Sequence, residues 1–421
     1  MKKVILTAML GLGCWMLGVG NASAINIKLK RDKAIVDGIN YQLNAKKESA
    51  TVVKNAEPYL GDIVIPEKIT VDSLTFFVEE VASGAFSNCP GLTSVTFPRT
   101  VTKIGSDIFK GCSSIEEITL PEKITEIPSG AFENCSSLKA VNLPAGIKKI
   151  GSGIFKGCKS METFTFPTSV ASVPNSTFEG CSSLKEVILS TNIKEIGDEA
   201  FQQCANMESI TLPTGVKQIG SECFKECVSL KTIKFPASLQ VIANSLLEGC
   251  TSLERVELPN SIQSIKDEAF KGCVLLDSIS LPNSIRSLGS SIFQDCPNLH
   301  VVNIPISVDK IPSSMFENCS SLGNIEIPVS IKEIGSDAFK NCSSITSVNI
   351  PVSVKSIGGE AFDKCNSLME VTAQSALPVK ISSSTFSKAT QKEGRLRVKS
   401  SSVNNYQLDK QWGKFLNIVG Y

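Results

Sequence analysis

Thirteen cysteines recur at one fixed step. Cys89, Cys112, Cys135, Cys158, Cys181, Cys204, Cys227, Cys250, Cys273, Cys296, Cys319, Cys342 and Cys365 stand 23 residues apart. A phenylalanine precedes each by three residues, from Phe86 to Phe362, with Leu247 the one substitute. A period of this length confines the chain to a solenoid. Each unit is too small to bury its apolar face alone and must stack on its neighbours. Such a fold grows along one axis, so 421 residues need not divide into several globular cores.

Counting from each cysteine shows how one coil is built. Apolar residues fill offset +3 (Leu92, Ile115, Leu138), +6 (Val95, Ile118, Val141) and +8 (Phe97, Leu120, Leu143). The +6/+8 alternation around an outward +7 is strand periodicity. Offset +9 is proline in eleven of thirteen units, with Ser190 and Gln374 as exceptions. Proline has no N–H to give a ladder and so ends the strand. A second apolar pair at +12 and +15, such as Ile331 and Ile334, fills the interior from the opposite wall. Gly or Pro often follows at +16. The small residue before the phenylalanine suits a tight helical or 3₁₀ turn. Stacked at about 4.8 Å per coil, thirteen coils predict a curved rod roughly 60 Å long, with a parallel sheet on one wall.

The ends break the period. Residues 1–24 read as a secretory signal peptide: Lys2 and Lys3, an apolar run from Val4 to Val19, then Ala22-Ser23-Ala24 as a small-x-small cleavage site. An uncleaved anchor, or lipidation at Cys14, are the alternatives, the latter with Gly11 and Trp15 in an unfavourable context. No later window is apolar enough for a membrane span. Residues 25–57 are assigned to an N-terminal β cap, with a hairpin around Asp37-Gly38 and a strand at Ala50–Val53. Residues 58–390 form the solenoid. Its first coil is lengthened by an added strand or hairpin arm at Thr75–Val78. Residues 391–421 form a C-terminal cap. In it Leu396–Val398 is the last strand, and Ser401–Leu416 is a short helix carrying Tyr406, Trp412 and Phe415. Trp412 reads as cap packing, with sugar stacking as the competing role.

Charge and composition exclude several functions. Lys and Arg number 42 against 41 Asp and Glu, so no strongly basic face is available for nucleic acid. His300 is the single histidine and sits at offset +4, a surface position. Neither a histidine metal cluster nor a C-x-x-C pair is present. The sequence therefore implies no metal and no cofactor. The cysteine column itself reads as buried thiols, since stacked side chains point the same way. Scattered disulfides are the alternative.

The unit I-G-x-x-A-F-x-x-C-x-x-L-x-x-V-x-L-P-x-x-I, as in Ile334–Pro351, resembles the BspA-type leucine-rich repeat, also called the Treponema pectinovorum type. The end segments V-D-G-I-N-Y-Q-L and W-G-K-F-L-N-I are also similar to those of such proteins from Bacteroides-like bacteria. The resemblance covers about residues 58–390. It implies a leucine-rich-repeat solenoid, right-handed and curved, with the parallel sheet on the concave wall and short strands, turns and 3₁₀ segments elsewhere. It implies an exported protein, secreted or on the cell surface, with periplasmic or lipid-anchored placement as alternatives. It brings no catalytic residues. Some relatives bind host matrix proteins or other bacteria.

The outward +7 column is a ladder of short polar side chains: Thr96, Thr119, Asn142, Thr165, Thr211, Ser280, Asn303 and Asn349. Such residues suit solubility and cross-strand pairing, or a broad binding face. Ile188 interrupts the ladder, and Lys234, Arg255 and Glu257 bring charge to its middle. These four are the candidate binding residues. The expected function is a non-enzymatic scaffold for protein binding or adhesion, with a host or bacterial surface protein as partner in preference to a glycan. The alternative is a spacer of the cell envelope with no specific ligand. Alternating charge at +4, from Glu116 and Lys139 onward, reads as stacking register.

Overall fold

The computed structural model describes residues 32–421. The predicted signal peptide and residues 25–31 of the predicted cap lie outside the described residues. The chain forms two compact units, one ending at Ile154 and the other running Phe155–Tyr421. Each is a stack of parallel-strand coils.

In the first unit the predicted hairpin is present. Lys33–Val36 pairs antiparallel with Ile39–Asn44. Asp37 (φ 50°) and Gly38 (φ 81°) form the two-residue turn, both in the left-handed region that such a turn requires. Ser49–Val53 continues the sheet, and Tyr41 and Val52 are fully buried beneath it. The inserted arm is the hairpin Lys68–Val71 with Leu74–Val81. That long strand joins cap to coils, pairing parallel with Ser49–Val53 on one side and with Lys103–Ile104 on the other.

Most coils carry strand on two walls, where the sequence pointed to one sheet. The expected wall holds offsets +5 to +7, as in Glu117–Thr119 beside Ala140–Asn142. A second ladder holds +14 and +15, as in Glu126–Ile127 beside Lys149–Ile150, or Lys310–Ile311, Glu333–Ile334 and Ser356–Ile357 in succession. Two residues are too few to show alternation in a sequence, which is why the second ladder was not legible.

The tight helical or 3₁₀ turn expected before the cysteine is present as tight turns, without a 3₁₀ helix. The corner around the phenylalanine is a run of turns with left-handed residues at −5 and −1, such as Asp337 (φ 57°) and Asn341 (φ 61°). Its N–H groups at −5, −3 and −1 donate to carbonyls of the next coil: Asp337 to Gly359, Phe339 to Ala361 and Asn341 to Asp363. The corner is thus a third hydrogen-bonded wall, satisfying backbone that a 3₁₀ helix would bond within itself. The glycine at +16 has a steric cause. A Cβ on Gly220 would lie 2.4 Å from the backbone nitrogen of Asp198 in the preceding coil.

The phenylalanines fill the interior as a stacked file. Ring centroids of successive coils lie 5.2–5.8 Å apart, broken in the second unit only at Leu247. At the C-terminal end, Ser347–Ile350, Glu370–Ala373, Arg395–Val398 and Asn417–Gly420 form one parallel sheet. The stack therefore ends one strand later than predicted. The expected single helix is instead a 3₁₀ turn at Ser400–Ser402, an α-helix at Val403–Leu408 and a second 3₁₀ turn at Trp412–Lys414. Trp412 is fully buried and its Nε1 donates to the Val379 carbonyl at 2.7 Å. It packs on Phe386, Tyr406 and Phe415, so sugar stacking is excluded for this ring.

Candidate functional site

The outward side of the +5 to +7 wall in the second unit holds all four candidate residues. Arg255–Glu257 pairs parallel with Thr232–Lys234, setting Lys234 beside Glu257 and Thr232 beside Arg255. Lys234 Nζ lies 3.2 Å from Glu257 Oε2, with both side chains largely exposed. Ile188 is 53% exposed on a different strand pair, beside Thr165. The coil between, residues 207–213, forms no strand. Ile188 is therefore two coils from Lys234, and the expected continuous sheet is a series of short paired segments.

Asparagines of the wall, at +7 and +5, join coils. Asn303 braces the backbone of Leu281 through both ends of its amide, at 2.8 Å each way. Asn324 Oδ1 accepts the backbone N–H of Thr346 (2.9 Å) and of Ser347 (3.0 Å). Its own coil lacks a strand in residues 322–328, so the side chain takes the place of ladder pairing there. In the first unit, Asn142 Nδ2 donates to Glu117 at 2.8 Å and to Thr119 at 3.1 Å.

At offset +4 the alternating charges meet as the register predicts. Glu208 and Lys231 approach to 2.7 Å and Asp277 and His300 to 3.0 Å. The hydrogen bond from Lys231 holds the Glu208 carboxyl below its usual range, and the same bond raises Lys231. On the turn corner, Glu222, Lys225, Glu248, Lys271 and Glu268 form a continuous chain of ion pairs that the sequence analysis missed. Its signal was the charge at offset −2.

What remains for a partner is narrower than the ladder. Among the described residues the Arg255 guanidinium makes no ion pair or hydrogen bond. Ile188 and Val301 present apolar surface, the latter 66% exposed at +5, a position where an aliphatic residue was itself the readable signal. Among the described residues no group of three His, Cys, Asp or Glu side chains is placed to hold a metal ion, and no helix is long and apolar enough to cross a membrane.

The sequence model of the BspA type leucine rich repeat region, in six copies, matches residues 63–185, 171–300 and 286–410. The chain belongs to the BspA-type leucine-rich repeat family. Among solved structures, this BspA-type chain is similar to a leucine-rich repeat protein from Bacteroides ovatus, with 28% identity, a TM-score of 0.80, and 92% of this chain and 99% of the other covered. It is also similar to a leucine rich cell surface protein from Faecalibacterium prausnitzii, with 28% identity, a TM-score of 0.59, and 81% and 94% covered. A search of curated proteins found no match. The BspA-type repeat explains the coil chemistry. It assigns no role to Arg255 or its neighbours.

Proposed function

We propose that this chain is an exported, non-enzymatic scaffold that binds a surface protein through the outward side of its +5 to +7 wall. The observation that carries the reading is the contrast on that wall. Beside Arg255, Lys234 and Glu257 pair with each other, and two coils on Asn303 braces the backbone, while the Arg255 guanidinium stays available for a carboxylate. Ile188 and Val301 add apolar surface on either side along the stack. Solenoids commonly engage partners over such extended faces. The name of the Faecalibacterium relative, a cell surface protein, supports the location.

The test is a binding screen of the chain against matrix proteins, glycans and bacterial surfaces, repeated with Lys234→Ala, Arg255→Ala and Glu257→Ala combined. A protein ligand is expected whose affinity falls in the triple variant while the circular dichroism is unchanged. A blank screen would sink the reading in favour of an envelope spacer. Fractionation of the producing cells tests export.

A further inference from the structure

The cysteine column has a direction. Eleven thiols each donate to the carbonyl oxygen of the residue twenty-six positions earlier, the phenylalanine (or Leu247) of the preceding coil. The distances run from 3.0 to 3.3 Å. Cys89, which opens the column, instead accepts the backbone N–H of Tyr59 at 3.2 Å. Every cysteine among the described residues is buried.

This arrangement needs the proton on sulfur. The carbonyl at −3 takes its own coil's cysteine N–H on one side and the next coil's S–H on the other, as Phe339 O does with Cys342 N and Cys365 Sγ. A disulfide removes two such donors. Coils rise about 4.8 Å each, and a disulfide spans about 4.4–6.8 Å between Cα atoms. Within a unit, column cysteines that are not in neighbouring coils are thus too far apart to be bridged in the stack. The neighbouring pairs aim their sulfurs at backbone oxygen.

We propose that the column is a redox gate on folding: the chain enters the coil stack only while these cysteines are thiols, and a disulfide formed beforehand keeps it out. The oxidant is a small-molecule disulfide or an enzyme of that chemistry. One cysteine thiolate attacks it and releases one small thiol. A second cysteine then displaces the other, so two protein thiols become one disulfide and the oxidant leaves as two thiols. Once folded, the column is inert. Burial pushes Cys112, Cys181, Cys227, Cys296 and Cys365 up to about 12, leaving little thiolate to react.

The test uses the full chain unfolded in denaturant and divided. One half is refolded in dithiothreitol and the other after exposure to oxidised glutathione, with circular dichroism as the readout. Iodoacetamide labelling, mapped by mass spectrometry, follows each state. The reduced half is expected to refold and to protect its fourteen described cysteines, alkylating about a thousandfold more slowly than in denaturant. The oxidised half is expected to stay unfolded until dithiothreitol is added. Recovery of the native spectrum by the oxidised half overturns the proposal. So does a native protein in which column cysteines are already paired.

Discussion

The Sγ of Cys342 lies 3.0 Å from the carbonyl oxygen of Phe316, in the coil before it. Both residues are fully buried. The sulfur fills a small interior volume and also supplies a donor where water cannot reach. Cys342→Ala loses both. It is expected to cost about 1–3 kcal/mol, read as a lower urea midpoint. A midpoint unchanged by the substitution would show that this contact contributes nothing.

Two glycines, Gly220 in the +16 column and Gly146 outside it, separate steric need from habit. Gly220→Ala places its Cβ against the Asp198 backbone and is expected to cost about 1–3 kcal/mol. Gly146→Ala meets nothing closer than the Ile124 carbonyl oxygen at 3.7 Å, and its effect stays within about 0.5 kcal/mol. Thermal melts of the two variants should differ accordingly.

Alkali should unfold the chain through its thiols. In the unfolded chain these groups titrate at about 9, and burial raises five of them to about 12 in the folded state. Above about pH 9 the unfolded chain holds fewer protons than the folded one, so stability falls as pH rises. The contribution is fully present below pH 9 and is lost by about pH 12. Thiolate absorbance and loss of circular dichroism should therefore appear together. Thiolate forming while the dichroism holds would contradict the burial.

Trp412→Phe removes the donor to Val379 and part of the volume that closes the final coils. An expected cost of about 1–3 kcal/mol follows from the orphaned carbonyl and the cavity. Amide exchange should quicken first in the strand Arg395–Val398.

Much of the fold was legible because it repeats. One unit read thirteen times averages away local ambiguity, so the strand at +5 to +7, the proline stop and the buried phenylalanine file all stood out. The second ladder at Lys310–Ile311 and its neighbours did not, being two residues long and made by pairing across coils. The terminal strand Asn417–Gly420 was hidden for the same reason: it is a strand only because Arg395–Val398 lies beside it.

The candidate face was half legible. Outward position follows from strand alternation, which placed Ile188, Lys234, Arg255 and Glu257 on one side. Which of them has a partner depends on rotamers and on the neighbouring coil. Lys234 meets Glu257 and Asn303 grips Leu281, whereas Arg255 is left over.

The chain's own order of residues determined the period, the identity of what lies inside, and membership of a stacked-coil fold, because apolar periodicity is local and survives any packing detail. Only the assembled coils decided where each donor points, whether glycine is needed at a corner, and which charges cancel. Those depend on atoms 22 to 26 residues away in the chain, brought within hydrogen-bonding distance by the rise of one coil.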